Sequence, residues 1–139
     1  MKKVVLILLL TFVQQTISKA QLQNSIFGID NPSAGNYNFA EYDLSTNSFT
    51  TLLTLPISFL STNYSATVDV DNGIYYFCDG QFLYSIDAGT GTLIATTNLN
   101  LPPLNHFGYV QYNPCDGNFY GLMIQTGTIS LQAYDPSSG

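Results

Sequence analysis

The 139-residue chain has no tryptophan, a single histidine, a single glutamate, and three basic residues against nine acidic ones. The three cations, Lys2, Lys3 and Lys19, all lie within the first twenty residues, so everything beyond Ala20 carries the nine acids and no lysine or arginine. Nucleic-acid binding rests on cationic side chains that release counterions from phosphates, and this segment has none to offer. Phosphate ligands, nucleotides and anionic membrane surfaces are disfavoured on the same ground. The lone imidazole, His106, excludes a zinc site with more than one histidine ligand. It also leaves any serine or cysteine nucleophile without a second base or a cationic oxyanion partner, and no nucleophile-elbow motif is present. Helical patterning is equally scarce, because no stretch beyond residue 20 holds apolar residues at a sustained 3.6 period.

What is present begins with an export signal. Lys2 and Lys3 precede an apolar run from Val4 to Val13, and a polar stretch then ends in Ser18-Lys19-Ala20, with small residues where a signal peptidase reads them. Ten residues at 1.5 Å rise cover about half of a ~30 Å hydrocarbon core, so a membrane anchor is the poorer reading. Residues 1–20 are therefore expected to be a cleaved signal peptide and residues 21–139 the secreted or cell-surface chain. Gln21, not a cysteine that could accept a lipid, stands directly after the cleavage point, and no later run is long and apolar enough for membrane insertion.

Short runs rich in β-branched and aromatic residues fill the rest: Ser25–Ile29, Tyr37–Leu44, Phe49–Leu55, Ala66–Val70, Ile74–Cys78, Phe82–Ile86, Thr92–Leu99, Phe107–Tyr112, Phe119–Ile124 and Ile129–Tyr134. Turn residues separate them, among them Asp71-Asn72-Gly73, Asp79-Gly80, Ala88-Gly89-Thr90-Gly91 and Asp116-Gly117. The runs repeat. The segment from Phe39 through Asp43 to Asn47 aligns with Phe82 through Asp87 to Thr90 and with Leu131 through Asp135 to Gly139, and Asn72-Gly73-Ile74-Tyr75-Tyr76 aligns with Asp116-Gly117-Asn118-Phe119-Tyr120. A period of roughly 44 to 48 residues holding four short strands is the signature of a β-propeller blade. Ile74–Cys78 is apolar on both faces, as a strand pressed between two neighbouring sheets requires. With strands lettered A to D outward from the axis, the run reads B, C, D, then A, B, C, D, then A, B, C. The expected fold is thus an all-β partial propeller of about two and a half four-stranded antiparallel blades, the front end of a longer chain whose remaining blades would be its first partner.

The run Phe107-Gly-Tyr109-Val-Gln-Tyr-Asn113-Pro-Cys-Asp116-Gly-Asn-Phe-Tyr120-Gly121-Leu, with Tyr134-Asp135 and the Tyr84, Asp87, Thr90, Gly91 set, resembles the repeat of secreted bacterial propellers of the Bacteroidota type. The resemblance covers essentially residues 25–139. It implies the fold and no particular reaction, and the absence of tryptophan separates the chain from the quinoprotein branch of such propellers.

Few residues invite chemistry. Asp69-Val-Asp71-Asn72-Gly73 has the oxygen spacing with which a calcium loop begins, making Asp69 and Asp71 the metal candidates. The later oxygens of such a loop are missing, and a hairpin turn with Gly73 at positive φ is the stronger reading. Asp43, Asp87 and Asp135 recur with the repeat, as turn-capping Asx residues do. Glu41 with one of the aspartates is a glycosidase-like carboxylate pairing, and nothing in the spacing nominates the pair. Loop aromatics Phe59, Tyr64 and Phe107 are candidates for stacking on sugars. Asn63-Tyr64-Ser65 is a glycosylation sequon only in a eukaryotic secretory pathway. Cys78 closes a strand B while Cys115 lies in the next A-to-B turn, so a strand of about five residues at ~3.3 Å separates them by roughly 15 Å. A disulfide needs Cα atoms within about 7 Å, so the two are expected to stay unbonded. The expected function is a non-catalytic binding or scaffold module for protein or glycan. Its alternative is the N-terminal part of an extracellular hydrolase or lyase whose catalytic residues lie elsewhere.

Overall fold

The computed structural model describes residues 24–33, 36–57 and 64–136. The described residues hold ten β-strands and no α-helix, and each strand coincides with one of the ten expected runs. They are β1 (Ser25–Ser33), β2 (Asn36–Asp43), β3 (Ser48–Leu55), β4 (Ser65–Asp69), β5 (Ile74–Cys78), β6 (Phe82–Asp87), β7 (Leu93–Asn98), β8 (His106–Asn113), β9 (Asn118–Gln125) and β10 (Thr128–Tyr134). All pairings are antiparallel between sequence neighbours, giving a first sheet β1-β2-β3, a second β4-β5-β6-β7 and a third β8-β9-β10. β1 runs past the expected Ile29 because Ser33 still pairs with Asn36 beyond an irregularity after Asp30, a continuation that Pro32 conceals in the sequence.

The turns follow from asparagine, aspartate and glycine chemistry. Asp43 Oδ1 accepts from the Ser45 and Thr46 amides at 2.7 and 3.3 Å, and Asp87 Oδ1 accepts from the Thr90 amide at 2.8 Å. Four residues beyond each aspartate the chain enters the left-handed region, at Asn47 (φ 56°) and at Gly91 (φ 70°), the residue types that tolerate it best. The two aspartates thus act in the turn-capping role the repeat implied.

Aligning the sheets on Asp43, Asp87 and Asp135 and following the cross-strand registers makes Ile26, Tyr75 and Phe119 equivalent. Likewise Gly28, Phe77 and Gly121 correspond, as do Tyr42, Ile86 and Tyr134. These residues form one face of each sheet, here called its leading face. The opposite, trailing face carries the sets Phe27, Tyr76, Tyr120 and Phe39, Leu83, Leu131. The cores obey one rule. Phe39, Leu55 and Phe27 on the trailing side of the first sheet pack on Phe77, Tyr84 and Ile86 on the leading side of the second. Cys78, Leu83 and Tyr76 on the trailing side of the second pack on Phe107, Phe119 and Tyr134 on the leading side of the third. This explains why β5 is apolar on both faces: Tyr75 and Phe77 serve one core, Tyr76 and Cys78 the other.

Two hydrogen bonds, from the Val110 amide to Ser65 Oγ at 2.9 Å and from the Tyr112 amide to Thr67 Oγ1 at 3.1 Å, run β4 and β8 side by side in the same direction. A bulge in β8 sets Tyr109 and Val110 against the single residue Gly121. Tyr109 takes φ 54° and turns outward, which lets Val110 bury fully. Gly121 must lack a side chain there, because a Cβ would lie 2.9 Å from both the Gly108 carbonyl oxygen and the Phe107 ring.

Candidate functional site

The loops at one end of the second sheet converge. Asp79-Gly80-Gln81, between β5 and β6, meets the β7–β8 connection: the Leu99 amide donates to the Gln81 carbonyl at 2.9 Å, the Phe107 amide to the Gly80 carbonyl at 3.0 Å, and Gln81 Nε2 to the Asn105 carbonyl at 2.5 Å. Asp79 organises this end. Its buried carboxylate accepts from the Gln81 and Phe82 amides at 2.9 and 2.7 Å and from the Tyr84 hydroxyl at 3.0 Å. Burial, with the Asp79 charge beside it, pushes the Tyr84 phenol well above its ordinary range, so it remains a hydrogen-bond donor to Asp79.

Above this anchor lies a row of four rings. Tyr64 and Phe77 are 6.4 Å apart, Phe77 and Tyr84 6.0 Å, and Tyr84 and Phe82 6.4 Å between centroids. The inner pair is buried; Tyr64 at one end is 56 % exposed and Phe82 at the other 37 %. The row therefore presents two aromatic surfaces held by a packed centre, and the loop bearing Leu104 (φ 70°, exposed) and Asn100 (φ 51°) borders the same end. Positive φ on a leucine is a conformation that costs of order 1–3 kcal/mol and persists only where its surroundings hold it.

Of the aromatics marked in the sequence, only Tyr64 is exposed among the described residues; Phe59 lies outside them. Phe107 is not a loop platform. It belongs to β8, is buried, and sits 6.5 Å from Tyr134 in the core between the second and third sheets. The strand run that the sequence begins at Phe107 is the reading the structure keeps, since β8 starts at His106. Phe49 and Tyr120 are exposed on outer sheet faces, and Phe82 and the outward-turned Tyr109 are further exposed aromatics that fall within expected strand runs. The Asx turn at Asp79 and the bulge at Tyr109, which expose them, depend on hydrogen bonding that periodicity does not encode.

Asp69 is almost wholly enclosed at the end of β4. Its Oδ1 accepts from the Asp71 and Asn72 amides, both at 3.2 Å, and its Oδ2 from Asn72 Nδ2 at 2.7 Å. Those bonds, the Asn72 side chain foremost, hold its carboxyl below the usual aspartate range. Asp71 is exposed, and Gly73 takes the positive φ of the hairpin. The same turn recurs between β8 and β9, where Asn113 Oδ1 accepts from the Cys115 amide at 3.1 Å and Gly117 takes φ 75°. A turn that works equally well with a neutral asparagine at the position of Asp69 does not need a cation. Among the described residues no three His, Cys, Asp or Glu side chains gather as a metal-ligand group.

The remaining candidates are dispersed. Glu41 accepts a hydrogen bond from Ser25 across the first sheet. His106 begins β8 opposite Ile124, with Nδ1 buried and unbonded. Cys78 is buried and donates to the Phe107 carbonyl at 3.1 Å, and burial pushes its thiol up to about 12, keeping it protonated and unreactive. Cys115 is exposed and free in the β8–β9 turn. Because β4 and β8 run in the same direction and Cys78 pairs with Ser65 at the start of β4, the two thiols belong to opposite ends of the stack.

No helix among the described residues is long and apolar enough to cross a membrane. No protein-family model matches the chain, and no curated protein matches it either.

Proposed function

We propose that this chain is an exported β-propeller segment acting as a binding or scaffold module, with neutral glycans the ligand class its exposed surface favours. The observation that carries the reading is the aromatic row Tyr64-Phe77-Tyr84-Phe82, with its outer rings exposed at the end where the connecting loops converge. Sugar faces stack on such rings, and a surface without lysine or arginine has no means of holding a polyanion. Repetition of one sheet design at a period of 44 to 48 residues, with every trailing face on the next leading face, supports the propeller reading. The export reading rests on residues 1–20, which lie outside the described residues.

The test is affinity electrophoresis through neutral polysaccharides, with wild type beside Tyr64→Ala and Phe82→Ala. Retardation by at least one polysaccharide is expected, insensitive to salt, and each substitution should weaken it by up to about tenfold, the worth of one aromatic contact. Binding that both variants retain in full, or binding that salt abolishes, would rule out the aromatic row as the ligand surface. Release of reducing ends by the wild-type chain would assign it instead to the hydrolases.

A further inference from the structure

Four hairpin turns share one design. In each, a strand ends on an aspartate or asparagine, at Asp43, Asp69, Asp87 and Asn113, and four residues on the backbone enters the left-handed region, at Asn47, Gly73, Gly91 and Gly117. The side chain that ends the strand bonds to the one three positions on: Asp43 with Thr46, Asp69 with Asn72, Asp87 with Thr90 and Asn113 with Asp116. Every pair holds one carboxylate and one neutral partner. The third sheet keeps the rule with the roles exchanged, its asparagine standing first and its aspartate fourth. Two carboxylates at this spacing would repel and would have no proton to share, and none of the four pairs contains them.

The pair Asp69–Asn72 is the one whose carboxylate is buried, at 3 % exposure, and both ends of Asn72 clasp it, the backbone amide at 3.2 Å and Nδ2 at 2.7 Å. The Tyr112 side chain of β8 bonds to the same carboxylate, and β4 also offers Ser65 and Thr67 to the β8 amides. This turn therefore sits on the seam between the second and third sheets. Asn72 itself is exposed, and Gly73 follows it in the only Asn-Gly pair of the chain. Glycine has no side chain to keep its amide nitrogen away from the Asn72 carboxamide carbon. The other neutral partners are closed to attack of that kind, since threonine has no carboxamide and Asn113 precedes Pro114, whose nitrogen carries no hydrogen to lose.

We propose that Asn72 is a deamidation site, where water converts the neutral member of the turn pair into a second carboxylate, and that Asp69 restrains the reaction in the folded chain. The Gly73 nitrogen attacks Asn72 Cγ, the new C–N bond closes a succinimide ring, and Nδ2 departs as ammonia with the proton that Gly73 gives up. Water then opens the ring at either carbonyl, leaving aspartate or, with the backbone rerouted through Cγ, isoaspartate. Nothing is oxidised or reduced. While Nδ2 is held on Asp69 the carboxamide cannot turn to the Gly73 nitrogen, so the reaction waits for the turn to open. Afterwards the turn cannot close as before. Two carboxylates face each other, and isoaspartate adds a methylene to the backbone between Asp69 and its strand partner Ile74, so the hairpin loosens irreversibly along with its seam to β8.

The test is incubation of the purified chain at mildly alkaline pH, with mass-spectrometric peptide mapping of amide loss at each asparagine. Asn72 is expected to convert faster than any other asparagine and Asn113 to stay intact. Conversion of Asn72 should be at least about tenfold slower in the folded chain than in urea, because it proceeds through the opened turn. Asp69→Asn, which supplies the residue that Asn113 provides in the third sheet, should release most of that protection and raise the rate several-fold. Asn72→Asp, the product of one branch, should shift the unfolding equilibrium about tenfold toward the unfolded chain through the lost bond and the new repulsion. Asn72→Thr, which restores the pairing of the Asp43 and Asp87 turns, should leave that equilibrium near wild type. An Asn72 that persists while other asparagines convert, equal rates folded and in urea, an Asp69→Asn variant no faster than wild type, or an Asn72→Asp variant as stable as Asn72→Thr would each overturn the proposal.

Discussion

Phe39→Ala is expected to destabilise the chain by about 4 kcal/mol, the largest single effect anticipated here. Phe39 is fully buried, stacked on Phe27 at 5.7 Å and tilted against Tyr75 at 4.9 Å, and so joins the first sheet to the second. Removing the ring takes away its transfer free energy and leaves a cavity that a β-sheet, with its backbone pairings fixed, closes poorly. Against a typical total of 5–15 kcal/mol, that loss brings the domain close to unfolding. The repeat supplies internal controls. Leu83→Ala, at the equivalent buried position in the second sheet, should cost about 3 kcal/mol. Leu131→Ala, equivalent again but 72 % exposed, should stay within about 0.5 kcal/mol at dilution. Urea unfolding reads all three as shifts in midpoint at constant slope. Equal costs at the three sites would mean that the sheets are not stacked in this order.

Gly91→Ala is expected to cost about 3 kcal/mol. Gly91 sits at φ 70°, where a side chain carries a penalty of roughly 1–2 kcal/mol. A Cβ there would also lie 2.5 Å from the Cβ of Leu52 in β3, an atom fixed to the backbone of another sheet, so relief requires the two sheets to part. Asn47, the equivalent residue of the first sheet's turn, has the same backbone sign without the crowding, and there Asn47→Ala should cost about 1 kcal/mol for strain and the lost Tyr42 hydroxyl bond. Thermal unfolding of the two variants reads the difference between the sites, in which the contact with Leu52 is present only at Gly91.

Much of this architecture was legible in the residues because it is written locally. Runs of β-branched and aromatic residues mark the strands, Asx and glycine residues mark the turns, and the two-sided apolarity of Ile74–Cys78 marks a strand with a sheet on either side. The recurring aspartates set the period, and the structure uses Asp43 and Asp87 to cap turns. The features that remained hidden depend on interactions between segments far apart in sequence. The bulge at Tyr109 arises where β8 meets both Gly121 and Ser65, and nothing in the local pattern distinguishes Tyr109 from its buried neighbour Val110. Phe107 stands at the edge of its strand run, close after Pro102 and Pro103, yet its amide is drawn into the Gly80 carbonyl and its ring into the core. Asp79 was visible only as half of a turn. Its role as the buried acceptor for Tyr84 appears once β6 folds back on β5.

The central claim is that each sheet lays its trailing face on the leading face of the next. Ring-to-ring nuclear Overhauser contacts test it most directly, because each interface has a close aromatic pair across it: Phe39 with Tyr75 at 4.9 Å between the first and second sheets, and Tyr76 with Phe119 at 4.7 Å between the second and third. Both pairs are predicted to give strong contacts, with none between Phe39 and Phe119, which the second sheet holds apart. Absence of either predicted contact, or a contact between Phe39 and Phe119, would contradict the stack.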